Sequence, residues 1–176
     1  MNRKRERYPA KHPAVPMTQS DAATSADSLT RTGEPDGYRL VITQTAPEDR
    51  SDFNEHMNVR FHFDLLCDAI GADLERRGFD DSYRDLKRKG IFTVDHAIHY
   101  NAEIRVGDRV QAFVRLDRRQ GKSLHYSATL LNLRIGTTAS SMTTVLLHVD
   151  LNTRRAIDFS DEVASAIDRS LAKPTR

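Results

Sequence analysis

Apolar and β-branched residues fill Tyr38–Thr45, and the run stops at the breaker Ala46-Pro47-Glu48-Asp49, a pattern that predicts a first strand. A polar loop follows as far as Asn58. Beyond it Val59, Phe63, Leu66, Ile70 and Leu74 recur at steps of three and four, the spacing of one helix face, and Gly78 ends the helix. From Gly90 the period changes to two. Phe92, Val94, His96, Ile98 and Tyr100 alternate with Thr93, Asp95, Ala97 and His99, then come Val110, Ala112, Val114 and Leu116, then Leu124, Tyr126, Ala128 and Leu130, with Gly107-Asp108 and Gly121-Lys122 in the turns. Thr138–Asp150 completes a meander, and Glu162–Leu171 reads as a short amphipathic helix. A strand, a long helix and at least four further strands make an α+β domain, with an antiparallel sheet of about five strands wrapped around one long helix.

Residues 1–36 hold Pro9, Pro13, Pro16 and Pro35 among Ser, Thr, Ala and Asp without apolar periodicity, so they are expected to be a disordered extension. The domain is expected over 37–160 and a helical tail over 161–176. Charge narrows the function. The 27 basic and 25 acidic residues leave a formal charge of +2, which lacks the basic excess of a dedicated nucleic-acid binder. Cys67 is the single cysteine, so one chain can build neither an internal disulfide nor a multi-cysteine metal site. No apolar run is long enough to span a membrane, and the basic start Arg3-Lys4-Arg5 lacks an apolar signal core. A cytoplasmic setting is the expectation.

Three stretches carry a resemblance. Asp52-Phe-Asn-Glu-His56-Met57-Asn58 stands between the first strand and the helix, Phe92–Tyr100 leads into Ile104-Arg-Val-Gly107-Asp108-Arg-Val110, and Leu146-Leu147-His148-Val149-Asp150 precedes Thr153-Arg154-Arg155. In this order they resemble the hotdog thioesterases of the 4-hydroxybenzoyl-CoA thioesterase type, whose loop has an Asp-x-x-Gly-His-x-Asn form. Glu55 departs from it at the glycine. The details look most like the branch that includes betainyl-CoA thioesterases. The resemblance implies a single hotdog fold, hydrolysis of a small acyl-CoA, coenzyme A entering only as part of the substrate, no separate cofactor, and a homodimer or tetramer that closes the sheet edge and the cleft.

Thioester hydrolysis needs a group that activates water or attacks the carbonyl, donors for the developing oxyanion, and a slot for the acyl group. Asp52 is the candidate general base or nucleophile, with an Asx-turn as its purely structural alternative. Asn58 suits the helix N-cap, and the resemblance puts the oxyanion donor at the Val59 backbone N–H. His56 is a further candidate, read mainly as a loop-holding residue. Asp64 on the helix is the fallback acid. His96, His99 and His148 lack the paired spacing of a ligand set and read as ordinary strand residues, so no metal is expected. Arg118, Lys122 and Ser123, near Arg119 around the Gly121 turn, are candidates for the coenzyme A phosphates. Phe61, Phe63, Phe92 and Tyr100 are candidates for holding a cationic acyl head. Two rival functions remain: an acyl-carrier-protein thioesterase or hydratase on the same fold, and a non-catalytic acyl-CoA-binding module.

Overall fold

The computed structural model describes residues 35–52 and 56–171. Residues 1–34 of the extension expected over 1–36, including its basic cluster, lie outside the described residues, as do residues 53–55 and the last five positions. The chain runs β1 (Arg39–Thr45), a 3-10 turn, α1 (Val59–Arg76), α2 (Asp81–Asp85), β2 (Lys89–Tyr100), β3 (Arg109–Gln120), β4 (Ser123–Asn132), β5 (Thr137–Asp150), β6 (Arg155–Ala156) and α3 (Asp161–Leu171). The sheet has the order β1-β3-β4-β5-β2, every pairing antiparallel, with the short β6 added to β5. This is the α+β arrangement the periodicity predicts. α2 and β6 are additions that the sequence pattern did not separate from the turns.

α1 lies against β1, β3 and β4, and its buried face differs from the predicted stripe. Phe61, His62, Leu65, Leu66, Ala69, Ile70 and Asp73 are buried, whereas Val59 is 60% exposed in the first turn. Two polar residues belong to the core row. A count of apolar positions therefore rotates the helix slightly, because His62 and Asp73 read as surface residues until their partners are known.

Asp73 is 1% exposed, and its carboxylate accepts hydrogen bonds from three guanidinium groups: Arg39 of β1 at 2.8 Å, Arg76 at 2.8 Å and Arg77 at 2.6 Å. The Tyr126 hydroxyl of β4 donates a fourth, at 3.1 Å. One side chain thus joins α1 to both β1 and β4. Burial pushes the Asp73 carboxyl up, and the arginines outweigh it, bringing it to about 2.

The edge strand β2 is the main departure from simple alternation. A register shift between Thr93 and Asp95 interrupts the period, and Phe92, Val94 and Tyr100 are exposed. One side of β2 has no neighbouring strand among the described residues. At the opposite end of the chain α3 covers the sheet near β3 through buried Ile167, a two-bond Arg119–Asp168 pair, and a 2.7 Å bond from Arg77 to Ser170.

Replacing Asp73 by Ala leaves three arginines and a buried hydroxyl without their common acceptor and is expected to cost about 3 kcal/mol of unfolding free energy, measured by urea titration at pH 7. Because the folded carboxyl titrates below its ordinary value of 3.8, the contribution is complete above that value and is lost as pH falls from about 4 towards about 2. The gap between wild type and variant should therefore narrow over that acidic window.

Candidate active site

The loop before α1 is closed by its own backbone. Ser51 and Met57 form an antiparallel bridge, the Asp52 N–H donates to the His56 carbonyl at 2.7 Å, and the His56 N–H donates back to Asp52 Oδ1 at 3.3 Å. This bond spans four residues, so it is a loop closure and not the two-residue bond of an Asx-turn. Two further bonds tie the loop down: the Met57 N–H donates to the Ile104 carbonyl at 2.8 Å, and the Asn58 N–H to the Arg50 carbonyl at 3.1 Å. His56 also forms a bridge with Arg105, and its Nε2 sits 3.0 Å from Glu103 Oε2.

The segment that meets this loop is itself anchored. Asp108, 5% exposed, accepts from the Arg105 N–H at 3.0 Å, from Asn132 Nδ2 at 2.7 Å and from Arg134. Burial pushes the Asp108 carboxyl up, and these donors outweigh it, holding it below the usual carboxylate range. Gly107, at φ +85°, turns the chain into β3.

Asn58 is the N-cap of α1. Its backbone is extended, its side-chain oxygen accepts from the Arg60 N–H at 2.7 Å, and its carbonyl accepts from the Phe61 N–H at 3.0 Å. The Val59 N–H has no hydrogen-bond partner among the described residues. It stands at the positive end of an 18-residue helix, a setting that favours an anionic oxygen.

A cleft of about 310 Å³ opens between this helix terminus and the end of β2, lined by Asp52, His56, Met57, Val59, His62, Tyr100, Asn101, Ala102 and Glu103. It brings together Asp52, His56 and Val59, with Asn58 capping the helix beside them. It also contains His62, which the sequence pattern did not single out because it falls between apolar positions on the helix. His62 is buried, with Nδ1 3.2 Å from Ser140 Oγ, and burial holds its imidazole down at about 4, neutral near pH 7.

The other candidates lie elsewhere. Asp64 pairs with Arg50 at 2.9 Å on the surface. Arg118 contacts His125, Lys122 donates to the Ala156 carbonyl, and Ser123 donates to the Gln120 carbonyl, all around the β3–β4 hairpin. Ser123 is level with Leu147 of β5, whereas Tyr100 is level with Ser140. That separation is roughly 23 Å along the strand, so within one chain these cations do not share the Asp52 cleft. Of the four aromatic candidates only Tyr100 lines it. Phe61 is core, Phe63 packs edge-on against His96, and Phe92 carries the Arg154 guanidinium over its ring at 5.0 Å.

His96 and His99 are exposed on β2, and His148 is buried, bonded to the Tyr83 hydroxyl at 2.7 Å and stacked on Phe159. Among the described residues no group of three or more His, Cys, Asp or Glu side chains is placed to hold a metal ion, and no helix is long and apolar enough to cross a membrane. The third sequence motif builds a turn: Asp150 Oδ1 accepts from the Asn152 and Thr153 N–H groups, and Arg154 at φ +58° then reaches back over Phe92. A second cleft, of about 270 Å³, lies between the C-terminal half of α1, α2 and the start of β2, with Tyr83, Arg84, Lys89 and Phe92 on its walls.

Comparison with known proteins extends this picture. A family model described as the thioesterase-like superfamily matches residues 45–167. The betainyl-CoA thioesterase of Pseudomonas aeruginosa is 26% identical over 117 residues, 66% of this chain and 74% of that protein. The L-carnitine dehydrogenase/betainyl-CoA thioesterase of Agrobacterium fabrum is 31% identical over 117 residues, again 66% of this chain but only 24% of that longer protein. Among solved structures, a hypothetical protein from Staphylococcus aureus in complex with CoA superposes with a TM-score of 0.72 at 22% identity, covering 78% of this chain and 87% of its own. The 1,4-dihydroxy-2-naphthoyl-CoA thioesterase from Synechocystis gives 0.67 at 12% identity, covering 78% and 100%. These likenesses show the hotdog fold.

Proposed function

We propose, from the premise that this chain belongs to the thioesterase-like superfamily and is a thioester hydrolase, that it cleaves a small acyl-CoA, betainyl-CoA foremost, to the free acid and CoA. The observation that carries the reading is that Asp52 and Val59, the first residue of α1, line one cleft, which supplies a carboxylate and a helix terminus together as acyl transfer to water demands.

Two routes use the same parts. In the first, Asp52 takes a proton from water as the water oxygen attacks the thioester carbon; in the second, an Asp52 oxygen attacks and forms a mixed anhydride that water then opens. In both, the carbonyl oxygen gains negative charge opposite the Val59 N–H, the carbon–sulfur bond breaks, and CoA leaves as a thiolate that is protonated afterwards. Such a donor contributes roughly 3–4 kcal/mol to the transition state. Asn58 keeps the first turn of α1 in place, and the His56–Glu103 pair holds the loop that carries Asp52. The betainyl assignment draws on the relatives named above and on Tyr100, whose ring is the kind of surface that binds a quaternary ammonium.

The open edge of β2 supports a homodimer. Pairing β2 with its copy antiparallel about a two-fold axis would set the Lys89 end of one strand beside the Tyr100 end of the other. Phe92 and Ser123 are both level with Leu147, so the β3–β4 hairpin belongs to that Lys89 end. Arg118, Lys122 and Ser123 of each subunit would then approach the partner's Asp52 cleft, where the phosphates of CoA need cations. Cys67, free and partly buried, fits a reducing cytoplasmic setting.

Asp52→Asn should preserve the fold and lower thiol release from acyl-CoA by at least about a hundredfold; near-normal turnover would remove Asp52 from the mechanism. Val94→Lys, on the exposed edge strand, should convert the dimer to monomer by light scattering and abolish turnover. A dimeric, active variant would contradict the β2 interface.

A further inference from the structure

His62 occupies the core-facing side of α1, 4% exposed, one turn in from the exposed Val59. Its ring stands nearly perpendicular to that of Tyr100, with centroids 5.5 Å apart, and Nδ1 is engaged by Ser140. Nε2 has no hydrogen-bond partner among the described residues, although the side chain lines the cleft. Ser140 engages one ring nitrogen, and the other is not a buried orphan but opens to the solvent of the cleft, where an entering group can meet it.

The cleft is graded. Val59 marks an exposed mouth and His62 a buried end. CoA is large and anionic and must stay towards solvent, so the acyl group points inward, towards His62 and Tyr100. Resting on the reading that the substrate is a small acyl-CoA with a cationic head, we infer that His62 is a specificity-determining residue that forms the buried wall of the acyl cleft beneath the exposed Tyr100 ring and contacts the acyl head through Nε2. A serine hydroxyl can accept as well as donate, so Nδ1–H can bond Ser140 while Nε2 turns a lone pair to the cleft. That lone pair, the face of Tyr100 and the carboxylates of Asp52 and Glu103 all favour positive charge. The neutral state maintained by burial matters, because an imidazolium at this place would repel the same head.

The test compares kcat/KM for betainyl-CoA and for 3,3-dimethylbutyryl-CoA, in which carbon replaces the ammonium nitrogen, in the full chain. Both esters are assayed on one preparation, so a loss of active protein cancels in their ratio. Wild type should prefer the cation, and His62→Leu should lower that preference about tenfold, with His62→Gln intermediate. Should the Leu variant fail to fold, His62→Gln and Ser140→Ala carry the measurement, the latter expected to lower the ratio by freeing the ring. A cation preference that stays unchanged in the His62 and Ser140 variants overturns the role of His62 and leaves the cationic substrate standing. A wild-type ratio near one overturns the cationic reading and this inference together, and the absence of thiol release from both esters overturns the assignment of a betaine-like acyl group.

Discussion

The buried carboxylate of Asp73 sets the position of everything that follows it. Taking a carboxylate out of water costs several kcal/mol, and the cost is offset only while Arg39, Arg76, Arg77 and Tyr126 all converge on it. Those partners sit on β1, α1 and β4, so the helix cannot slide or rotate on the sheet without breaking the set. Val59 lies 14 residues before Asp73, or roughly 21 Å along the helix axis. The direction in which the helix terminus points is thus decided at its far end. Apolar contacts alone, being non-directional, would not fix that direction as closely.

A second buried carboxylate does for the 101–108 segment what Asp73 does for α1. Asp108 holds Arg105, Asn132 and Arg134, and from this base the Ile104 carbonyl and Glu103 latch the Asp52 loop through Met57 and His56. The cleft exists because three segments are each pinned separately: residues 51–52 with 56–58, the helix terminus, and the stretch after β2. Rigid placement of this kind is what preorganised stabilisation of an oxyanion requires. The purely local role of Asp52 and its proposed chemical role are compatible, since the bond from the His56 N–H occupies Oδ1 and orients the carboxylate.

Much of this was legible in the residues. The switch from a period of 3.6 to a period of 2 near Gly90 gave the order of helix and strands, and Asn58 before an apolar row gave the N-cap that the structure contains. What escaped was of one physical kind. His62 and Asp73 are polar residues buried among apolar ones, and their partners, Ser140 and the Arg39–Tyr126 set, lie far away in sequence. Hydropathy periodicity cannot anticipate such pairings. Likewise β2 reads as a half-buried strand because Phe92, Val94, Ile98 and Tyr100 alternate, yet its bulge and its place at the sheet edge leave most of it exposed. The same alternation serves an exposed edge strand as well as one already covered. The hairpin cations Arg118 and Lys122 reach a CoA phosphate only in the proposed dimer, an arrangement that no single-chain pattern records.

The account stands or falls on where the acyl group lies. A crystal structure of the Asp52→Asn variant with betainyl-CoA bound addresses this directly. The thioester oxygen should lie within hydrogen-bond reach of the Val59 N–H, roughly 2.7–3.1 Å, with the trimethylammonium group against Tyr100 and His62 and the phosphates near Arg118 and Lys122 of the partner subunit. Density for the acyl group in the second cleft, beside Tyr83 and Lys89 of the same chain and away from residue 52, would contradict it.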